Sequence, residues 1–514
     1  MRRGVQLTLL GLFVVLLGAT GWNLPGWLPV DVFLRIDPLL SLQALLASRA
    51  WVPAAGFGIA MLLSTLLVGR WFCGWMCPMG TILELGDDLA FGKKRRQWKN
   101  EERRLRWLKY AILGAIAIAA LFGAGLAYLA DPIAWITRIF TTALWPLTAA
   151  GLSLLLDAAR PLFEWLGWMH LARLDIVQPI FGGVGVASLA FLVFLLWLGR
   201  WQRRFWCRNL CPLGALLALG SRFSLFRRRV GDTCDHDGKC GRTCETGAIP
   251  DTHTSYDPAE CIMCLRCVPD CHLSITTFAP TLKRGQMQPS TDLGRRQSLV
   301  TAGAATVGAA WLNFNPQRLL LSDAALRPPG ALPEDAFLAT CIRCGQCIKA
   351  CPTNCLQSGL WETGAAGFMT PLAVMRVGPC DPNCTACGQV CPTDALRPVA
   401  EHEKPWAKIG NAVLDKGRCV AWEQDRHCLV CDENCPWGAI FWEETPKGRR
   451  PVVDEARCNG CGQCETACPV QGVSAIRVFP AGQIRLAEGS YQQEAQNRGL
   501  ILEPKKNKTG YPYE

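Results

Sequence analysis

The chain has 514 residues, including 28 cysteines and 20 tryptophans, and 53 basic against 42 acidic side chains give it a formal net charge of +11. Half of the residues are apolar and only 18% are charged, which excludes a disordered chain. The length predicts more than one domain. A basic excess is common in nucleic-acid-binding proteins, and abundant cysteine is common in secreted disulfide proteins. The positions of the basic residues and the cysteines in the chain show whether either class applies.

Four apolar segments in the N-terminal half approach the length of about 20 residues that a helix needs to cross a bilayer. We expect transmembrane helices at roughly 5–20, 51–69, 110–130 and 176–199. A further apolar stretch at 139–156 contains Pro146, and we interpret it as a re-entrant or interfacial helix. The alternative, a cleaved signal peptide at residues 1–20, would leave three spans.

The positive charge is concentrated in two segments that each follow an apolar run. Residues 93–109 carry nine bases and two acids, and residues 200–230 carry eight arginines and no acid. The remainder of the chain is slightly acidic. By the positive-inside rule both segments lie in the cytoplasm, which predicts a multi-pass protein of the bacterial inner membrane and no nucleic-acid partner.

Two spans lead into the same cysteine phrase, in which two cysteines four residues apart precede a proline. The pairs are Cys73 with Cys77 and Cys207 with Cys211. Cysteines with this spacing share one face of a helix, and four thiolates at one membrane face suit a metal ion or a cluster. Small buried residues at helix ends would explain the pairs equally well.

The remaining 24 cysteines begin at Cys234 and follow the spacing of bacterial ferredoxins. Strict runs start at Cys261, Cys341 and Cys458, and looser versions start at Cys380 and Cys419. In such a run three thiolates hold one cluster, and the fourth reaches the neighbouring cluster. Zinc sites use pairs of CxxC knuckles rather than triplets. The pattern therefore predicts 4Fe-4S clusters, and electron transfer as the chemistry.

Crossed pairing predicts which cysteines share a cluster. We expect four clusters in the C-terminal part and a fifth in the central module. The sets are Cys341, Cys344, Cys347 with Cys391; Cys380, Cys384, Cys387 with Cys351; Cys419, Cys428, Cys431 with Cys468; Cys458, Cys461, Cys464 with Cys435; and Cys261, Cys264, Cys267 with Cys244. Cys355 is left over, and we expect it to be a packing residue.

The run that starts at Cys234 departs from the pattern, because Asp237 stands where the second cysteine belongs. Its thiol ligands would be Cys234, Cys240 and Cys271. A carboxylate is a harder ligand than a thiolate, so a cluster here is either ligated by Asp237 or a 3Fe-4S species. A lost cluster with Asp237 in solvent is the alternative.

Between the modules, Arg295 and Arg296 precede a weakly apolar run rich in Ala and Gly, a pattern similar to a twin-arginine export signal. A flexible linker with a small helix is the alternative. Export would place the following modules in the periplasm. The expected fold is an α-helical membrane domain joined to α+β ferredoxin-like modules of the 2[4Fe-4S] type. The expected units are a membrane domain at 1–228, a ferredoxin-like module at 229–280, a linker at 281–330, ferredoxin-like modules at 331–400 and 401–478, and a polar tail at 479–514.

With these motifs, residues 1–280 resemble the NapH-type membrane protein of periplasmic nitrate reduction, and residues 290–478 resemble its NapG- or MauM-type partner. The resemblance implies a fused quinol dehydrogenase module that passes electrons from membrane quinol to a periplasmic acceptor such as a cytochrome c or a reductase. Asp237, Glu245 and His272 depart from the family pattern. Two alternatives remain, a membrane iron–sulfur redox sensor and a maturation factor for an oxidoreductase.

Other cofactors and catalytic groups find little support in the sequence. No CxxCH motif is present, which argues against covalent c-type haem. Asp131, Arg138 and His170 are candidates for contact with a quinone near the outer face. Each is equally interpretable as an interfacial anchor.

Overall fold

The computed structural model describes the greater part of the chain. The described ranges are 1–20, 29–52, 55–91, 105–173, 180–250, 254–281, 299–300, 302–307, 310, 325–360, 362–446 and 448–504. The twin-arginine residues Arg295 and Arg296 lie outside them, as does most of the first basic segment.

The N-terminal half is a bundle of apolar helices. Its core is formed mainly by leucine, isoleucine, phenylalanine and alanine side chains, and it includes Cys77 and Cys211, while Cys73 and Cys207 pack against it partly buried. The helices are α1 Arg2–Gly18, α2 Val32–Arg35, α3 Pro38–Ser48, α4 Ala55–Val68, α5 Trp71–Trp75, α6 Pro78–Phe91, α7 Trp107–Leu121, α8 Pro132–Ile139, α9 Trp145–Trp165, α10 Met169–Ala172, α11 Gly183–Leu198 and α12 Pro212–Ser221, with a 3₁₀ turn at Ala127–Leu129 and π-helical turns at Phe140–Leu144 and Trp206–Leu210.

The bundle repeats one arrangement twice. In each half an Asp-Pro step starts a helix, at Asp37 for α3 and at Asp131 for α8. An apolar helix, a cysteine-containing turn and a proline-initiated helix follow: α4 to α6 in the first half, and α11 to α12 in the second. The halves pack crosswise, α4 against α12 and α11 against α6. This crosswise packing brings equivalent residues of the two halves together.

One helix in the described ranges is long and apolar enough to cross a membrane. It runs from Pro132 to Trp165, with 34 residues and a mean hydropathy of 1.6, and it contains the segment expected to be interfacial. The four expected spans are helices of 17, 14, 15 and 16 residues. At 1.5 Å per residue they are about 21–26 Å long, short of the ~30 Å hydrocarbon core. The four-span arrangement is therefore not confirmed.

The cysteine-rich parts consist of two-stranded antiparallel sheets and short helices, and the expected ferredoxin-like domains are present. β1 Phe226–Val230 pairs with β2 Thr276–Pro280, β3 Leu356–Ser358 with β4 Pro371–Ala373, β5 Asn411–Leu414 with β8 Ile476–Phe479, and β6 Ile440–Thr445 with β7 Gly448–Val453. The helices are α13 Lys239–Thr243, α14 Glu334–Thr340, α15 Gln346–Ala350, α16 Ala386–Gln389, α17 Val420–Glu423, α18 Val430–Glu433, α19 Gln463–Ala467 and α20 Tyr491–Asn497, with 3₁₀ turns at Ala365–Gly367 and Lys404–Trp406.

Helix α1 contacts both cysteine-rich parts, one at each end. Arg2, at its start, pairs with Glu245 of the central module at 3.2 Å. At its other end, Lys349 Nζ donates to the carbonyl oxygens of Gly18 and Thr20, each at 3.1 Å. The 17 residues of α1 span about 25 Å. The central module and the C-terminal modules therefore lie at opposite ends of the bundle.

A buried ion cluster docks the central module on the bundle. Glu260 accepts from Lys109 Nζ at 2.6 Å and lies 3.5 Å from Arg70 Nη1, and none of the three side chains is more than 1% exposed. Arg106, also buried, donates to the carbonyl oxygen of Gly247 at 2.9 Å. Arg106 and Lys109 come from the first basic segment, and both are buried partners of the module.

Replacing Glu260 by alanine should loosen this docking. The change leaves buried cations without their partner, which costs about 3–5 kcal/mol. Amide hydrogen exchange in residues 255–264 should then become more than about 100-fold faster. Glu494→Ala is the matched control, since its partner Arg498 is half exposed and such pairs contribute about 0.5 kcal/mol. Equal exchange rates in the two variants would contradict the docking role.

Candidate iron–sulfur sites

Four of the cysteine runs share one backbone conformation. The residues immediately before and after the second ligand position are left-handed in each run. They are His236 and Gly238, Met263 and Leu265, Arg343 and Gly345, and Gly460 and Gly462, with φ between 52° and 81°. Left-handed residues that are not glycine persist only where the surroundings impose them. The surrounding structure therefore imposes the same loop conformation on each of these four runs.

The first C-terminal set, Cys341, Cys344, Cys347 and Cys391, lies beside the bundle. The other three thiols all act electrostatically on Cys347. Burial raises the pKa of Cys344 to about 12, so without iron this thiol keeps its proton. A metal that replaces the proton reverses this preference, which is how metal binding couples to folding.

The other predicted sets are also brought together. Cys387 interacts electrostatically with the other three members of its set, Cys351, Cys380 and Cys384. The members of a further set line one cavity: Cys435, Cys458, Cys461 and Cys464. Cys419 and Cys428 act on Cys431 and pack with Cys468. In the central module Cys244, Cys264 and Cys267 act on Cys261. Cys355 is 1% exposed and packs on Met375.

The order of these sets in space differs from their order in the chain. The backbone N–H of Cys380 donates to the carbonyl oxygen of Cys461 at 2.8 Å, which joins the second set to the set that starts at Cys458. Arg376 reinforces this contact by donating to the carbonyl oxygen of Cys468 at 2.9 Å. From the bundle outward, the sets therefore begin at Cys341, Cys380, Cys458 and Cys419.

A buried lysine, which sequence spacing does not reveal, contacts the second set. Lys404 is 3% exposed, and its Nζ lies 3.4 Å from Cys380 Sγ. The nearby thiols raise the pKa of Lys404 although burial opposes it, so the side chain is cationic. A cation beside the sulfurs fits an anionic thiolate-ligated cluster, and hydrogen bonds to sulfur tune its potential.

The cysteine pair Cys73 and Cys77 meets the pair Cys207 and Cys211, a contact that the sequence left open. Cys73, Cys77 and Cys207 all act electrostatically on Cys211. Two buried arginines adjoin them: Arg204 Nη1 donates to the carbonyl oxygen of Cys73 at 3.3 Å, and Arg70 interacts with Cys73 and Cys211. Four soft donors with buried cations fit an anionic cluster.

The same thiols lie against the ligand loop of the central module. A Cβ added at Gly74 would overlap the Ile262 carbonyl oxygen, so only glycine permits this approach. Glu84 and Glu245, both nearly fully buried, each pair with the same three arginines: Arg2, Arg204 and Arg266. Glu245, a departure from the family pattern, thus has a docking role that its position in the motif did not indicate.

Asp237 occupies a ligand position in a loop of the shared conformation. His236 and Gly238 flank it with φ of 57° and 73°. Its carboxylate accepts from the Lys239 N–H at 3.1 Å, which lowers its pKa, and lies 3.4 Å from His272 Nδ1. Cys234 and Asp237 both act on Cys240. The structure groups these three residues, and it places Cys271 next to His272.

Of the three residues considered for quinone contact, two are buried together and one is exposed. Asp131 and Arg138 are 0% and 1% exposed and interact electrostatically. Arg138 Nε donates to the Arg343 carbonyl oxygen at 2.9 Å, and Thr141 donates to that of Cys344 at 3.4 Å. His170 is exposed. Asp131 and Arg138 therefore connect the bundle to the first C-terminal set.

Family models match the cysteine-rich segments. A 4Fe-4S binding domain matches residues 49–99 and 181–231. The first segment contains Cys73 and Cys77, and the second contains Cys207 and Cys211. A 4Fe-4S dicluster domain matches residues 426–472, and another 4Fe-4S binding domain matches residues 338–357. These matches confirm the prediction of multiple 4Fe-4S sites.

Three relatives cover parts of the chain. The methylamine utilization ferredoxin-type protein MauM of Methylorubrum extorquens is 41% identical over 36% of this chain and 89% of its own length. The ferredoxin-type protein NapG of Escherichia coli is 38% identical over 38% of this chain and 88% of its own. NapF of the same organism is 35% identical over 29% of this chain and 84% of its own. No solved structure matches the chain.

Asp237→Cys should complete the cluster site of the central module. The loop already has the conformation of the complete runs, so the new thiol needs no backbone change. We expect more iron per chain, and an additional reduced 4Fe-4S signal in electron paramagnetic resonance. Asp235→Cys, next to the ligand position, is the control and should change neither. Unchanged iron in Asp237→Cys would show that the loop has lost its capacity for a cluster.

Proposed function

Because the chain belongs to the MauM/NapG family of ferredoxin-type proteins, we propose that it is a membrane-bound iron–sulfur electron-transfer protein that takes electrons from quinol and passes them to a periplasmic redox partner. In this proposal the bundle lies in the inner membrane, with the central module in the cytoplasm and the C-terminal modules in the periplasm. The chain then combines a NapH-type half with a NapG-type half.

The observation that carries the proposal is the placement of the cysteine-rich parts at opposite ends of the bundle. Arg2 of α1 contacts the central module, and Gly18 and Thr20 contact Lys349 of the C-terminal part. The bundle surface between these ends is apolar, with exposed Phe57, Leu155 and other large side chains. Apolar surface of this extent suits lipid. The arginine-rich segment at 200–230 lies on the side of the central module, as the positive-inside rule requires.

The cysteine sets described above would hold the clusters, and bound clusters would supply one-electron transfer. The protein residues bury the sulfurs, exclude water and place cations such as Lys404, Arg70 and Arg204 beside them. The set that starts at Cys419 lies farthest from the bundle. We propose that a periplasmic acceptor, such as a cytochrome c or a reductase, docks near that set.

Stopped-flow mixing with menaquinol tests the quinol role. Purified full-length protein in detergent should lose visible iron–sulfur absorbance when mixed with menaquinol, as it does with dithionite. Cys341→Ser, which removes a ligand nearest the bundle, should slow the menaquinol reaction by at least about tenfold, whereas Cys355→Ser should not. Bleaching by dithionite without any bleaching by menaquinol would remove the quinol role.

Reporter fusions test the sidedness. Alkaline phosphatase, which is active only in the periplasm, should be active when fused after residue 504 and inactive when inserted at residue 100. Green fluorescent protein inserted at residue 100 should fluoresce, because that position is proposed to lie in the cytoplasm. Phosphatase activity at both positions or at neither would contradict the proposed topology.

A further inference from the structure

Two buried carboxyl groups meet where the two halves of the bundle join. Asp37 and Asp131 are both 0% exposed and both begin a helix with an Asp-Pro step. Asp37 Oδ1 accepts from the N–H of Leu39 at 2.8 Å, and Asp131 Oδ1 accepts from the N–H of Ile133 at 2.8 Å. The two carboxyl groups are neighbours, and each influences the ionisation of the other.

Two neighbouring carboxyl groups can hydrogen-bond to each other only when one of them holds a proton, because a carboxylate oxygen only accepts. Each Oδ1 already caps a helix, and both Oδ2 atoms are buried and accept no hydrogen bond from a donor in the described residues. Two anionic oxygens in contact away from water repel strongly, so such a pair retains one proton. Burial raises the pKa of both groups, and the neighbouring carboxylate raises that of Asp37 further. Capping alone does not explain the pair, since asparagine or serine caps a helix as well.

A buried arginine with one unused donor nitrogen adjoins the pair. Arg138, on the helix that Asp131 begins, interacts electrostatically with Asp131 and is 1% exposed. Its Nε donates to the Arg343 carbonyl oxygen, and its Nη2 to that of Tyr128. Its Nη1 has no acceptor. A buried donor without an acceptor is costly, and it points to a polar ligand oxygen at this place.

The pair and Arg138 lie next to the cysteine set nearest the bundle. Arg138 interacts electrostatically with Cys341 and Cys344. A group that supplies one electron and one proton at this place would therefore have an electron acceptor and a proton acceptor side by side. Quinol supplies electrons together with protons when it is oxidised, and it is the electron donor in the proposed function.

We infer that Asp37 and Asp131 form one proton-accepting site for quinol oxidation, with Arg138 Nη1 as the donor to the quinol oxygen. This inference rests on the proposed function. For each quinol O–H bond that breaks, the proton goes to the pair, which changes from the singly to the doubly protonated form. A cluster held by Cys341, Cys344, Cys347 and Cys391 would supply the acceptor for the electron. Release of that proton to water readies the pair for the second O–H bond.

Asparagine variants remove the proton site while keeping the helix caps. In Asp37→Asn and Asp131→Asn the side-chain oxygen can still accept from the backbone N–H groups. Asp31→Asn is the matched control, because Asp31 is 2% exposed but pairs with Arg35 rather than with another carboxylate. All variants are measured as full-length protein in detergent, by infrared spectroscopy and by stopped-flow reduction with menaquinol and with dithionite.

The infrared measurement tests the pair without any quinol. The wild type and Asp31→Asn should show the C=O band of a buried protonated carboxyl group, and both pair variants should lack it. General acid–base groups contribute about 10²- to 10⁴-fold to a rate, so each pair variant should slow menaquinol oxidation by at least about tenfold and leave dithionite reduction unchanged.

Each other result overturns the inference. Equal menaquinol rates in wild type and pair variants would remove the proton role, and slowing with both reductants would make the role structural. A missing infrared band in the wild type would exclude a protonated pair. Failure of the wild type itself to react with menaquinol, with the band present, would refute the proposed function and leave the protonated pair as a separate finding.

Discussion

Each cysteine-rich module has to bring sulfur atoms from separate segments of the chain to one site, and the rest of its structure depends on this requirement. This requirement explains the left-handed residues beside the second ligand, the short helices that carry the third cysteine and end at or just before the fourth, and the small two-stranded sheets that close each module. It also determines where charge is buried, because thiolate-ligated clusters are anionic and need cations in a dry interior. Lys404, Arg70 and Arg204 have those positions.

Buried charge also joins the parts of the molecule. Glu260 forms ion pairs with Lys109 and Arg70. Glu84 and Glu245 each form ion pairs with the same three arginines, which are Arg2, Arg204 and Arg266. Lys109 and Arg204, which belong to the basic segments that suggested membrane topology, therefore also attach the central module to the bundle. Setting the membrane topology and docking the central module both require basic residues on the same side of the bundle, so the same residues can have both roles.

Local spacing predicted the cysteine groups because a cluster loop is defined by residues close together in the chain. Local spacing did not predict that Asp37 meets Asp131, or that the Cys73 and Cys207 pairs meet. Both contacts depend on crosswise packing of a duplicated unit, which no local pattern contains. The role of Glu245 was hidden for the same reason, since its partners lie in α1 and before Cys207. Hydropathy located the apolar segments but not the helix ends, which Gly69 and other left-handed residues determine.

The contact between the two C-terminal modules includes a main-chain hydrogen bond, from the N–H of Cys380 to the carbonyl oxygen of Cys461, beside the donors of Arg376. Gly462 lies at the same junction, where an added Cβ would overlap the side chain of Met375. A side-chain replacement cannot delete a peptide group, so the main-chain bond does not depend on the identity of the side chains around it. The separation of these two cysteine sets is therefore set in part by the backbone itself.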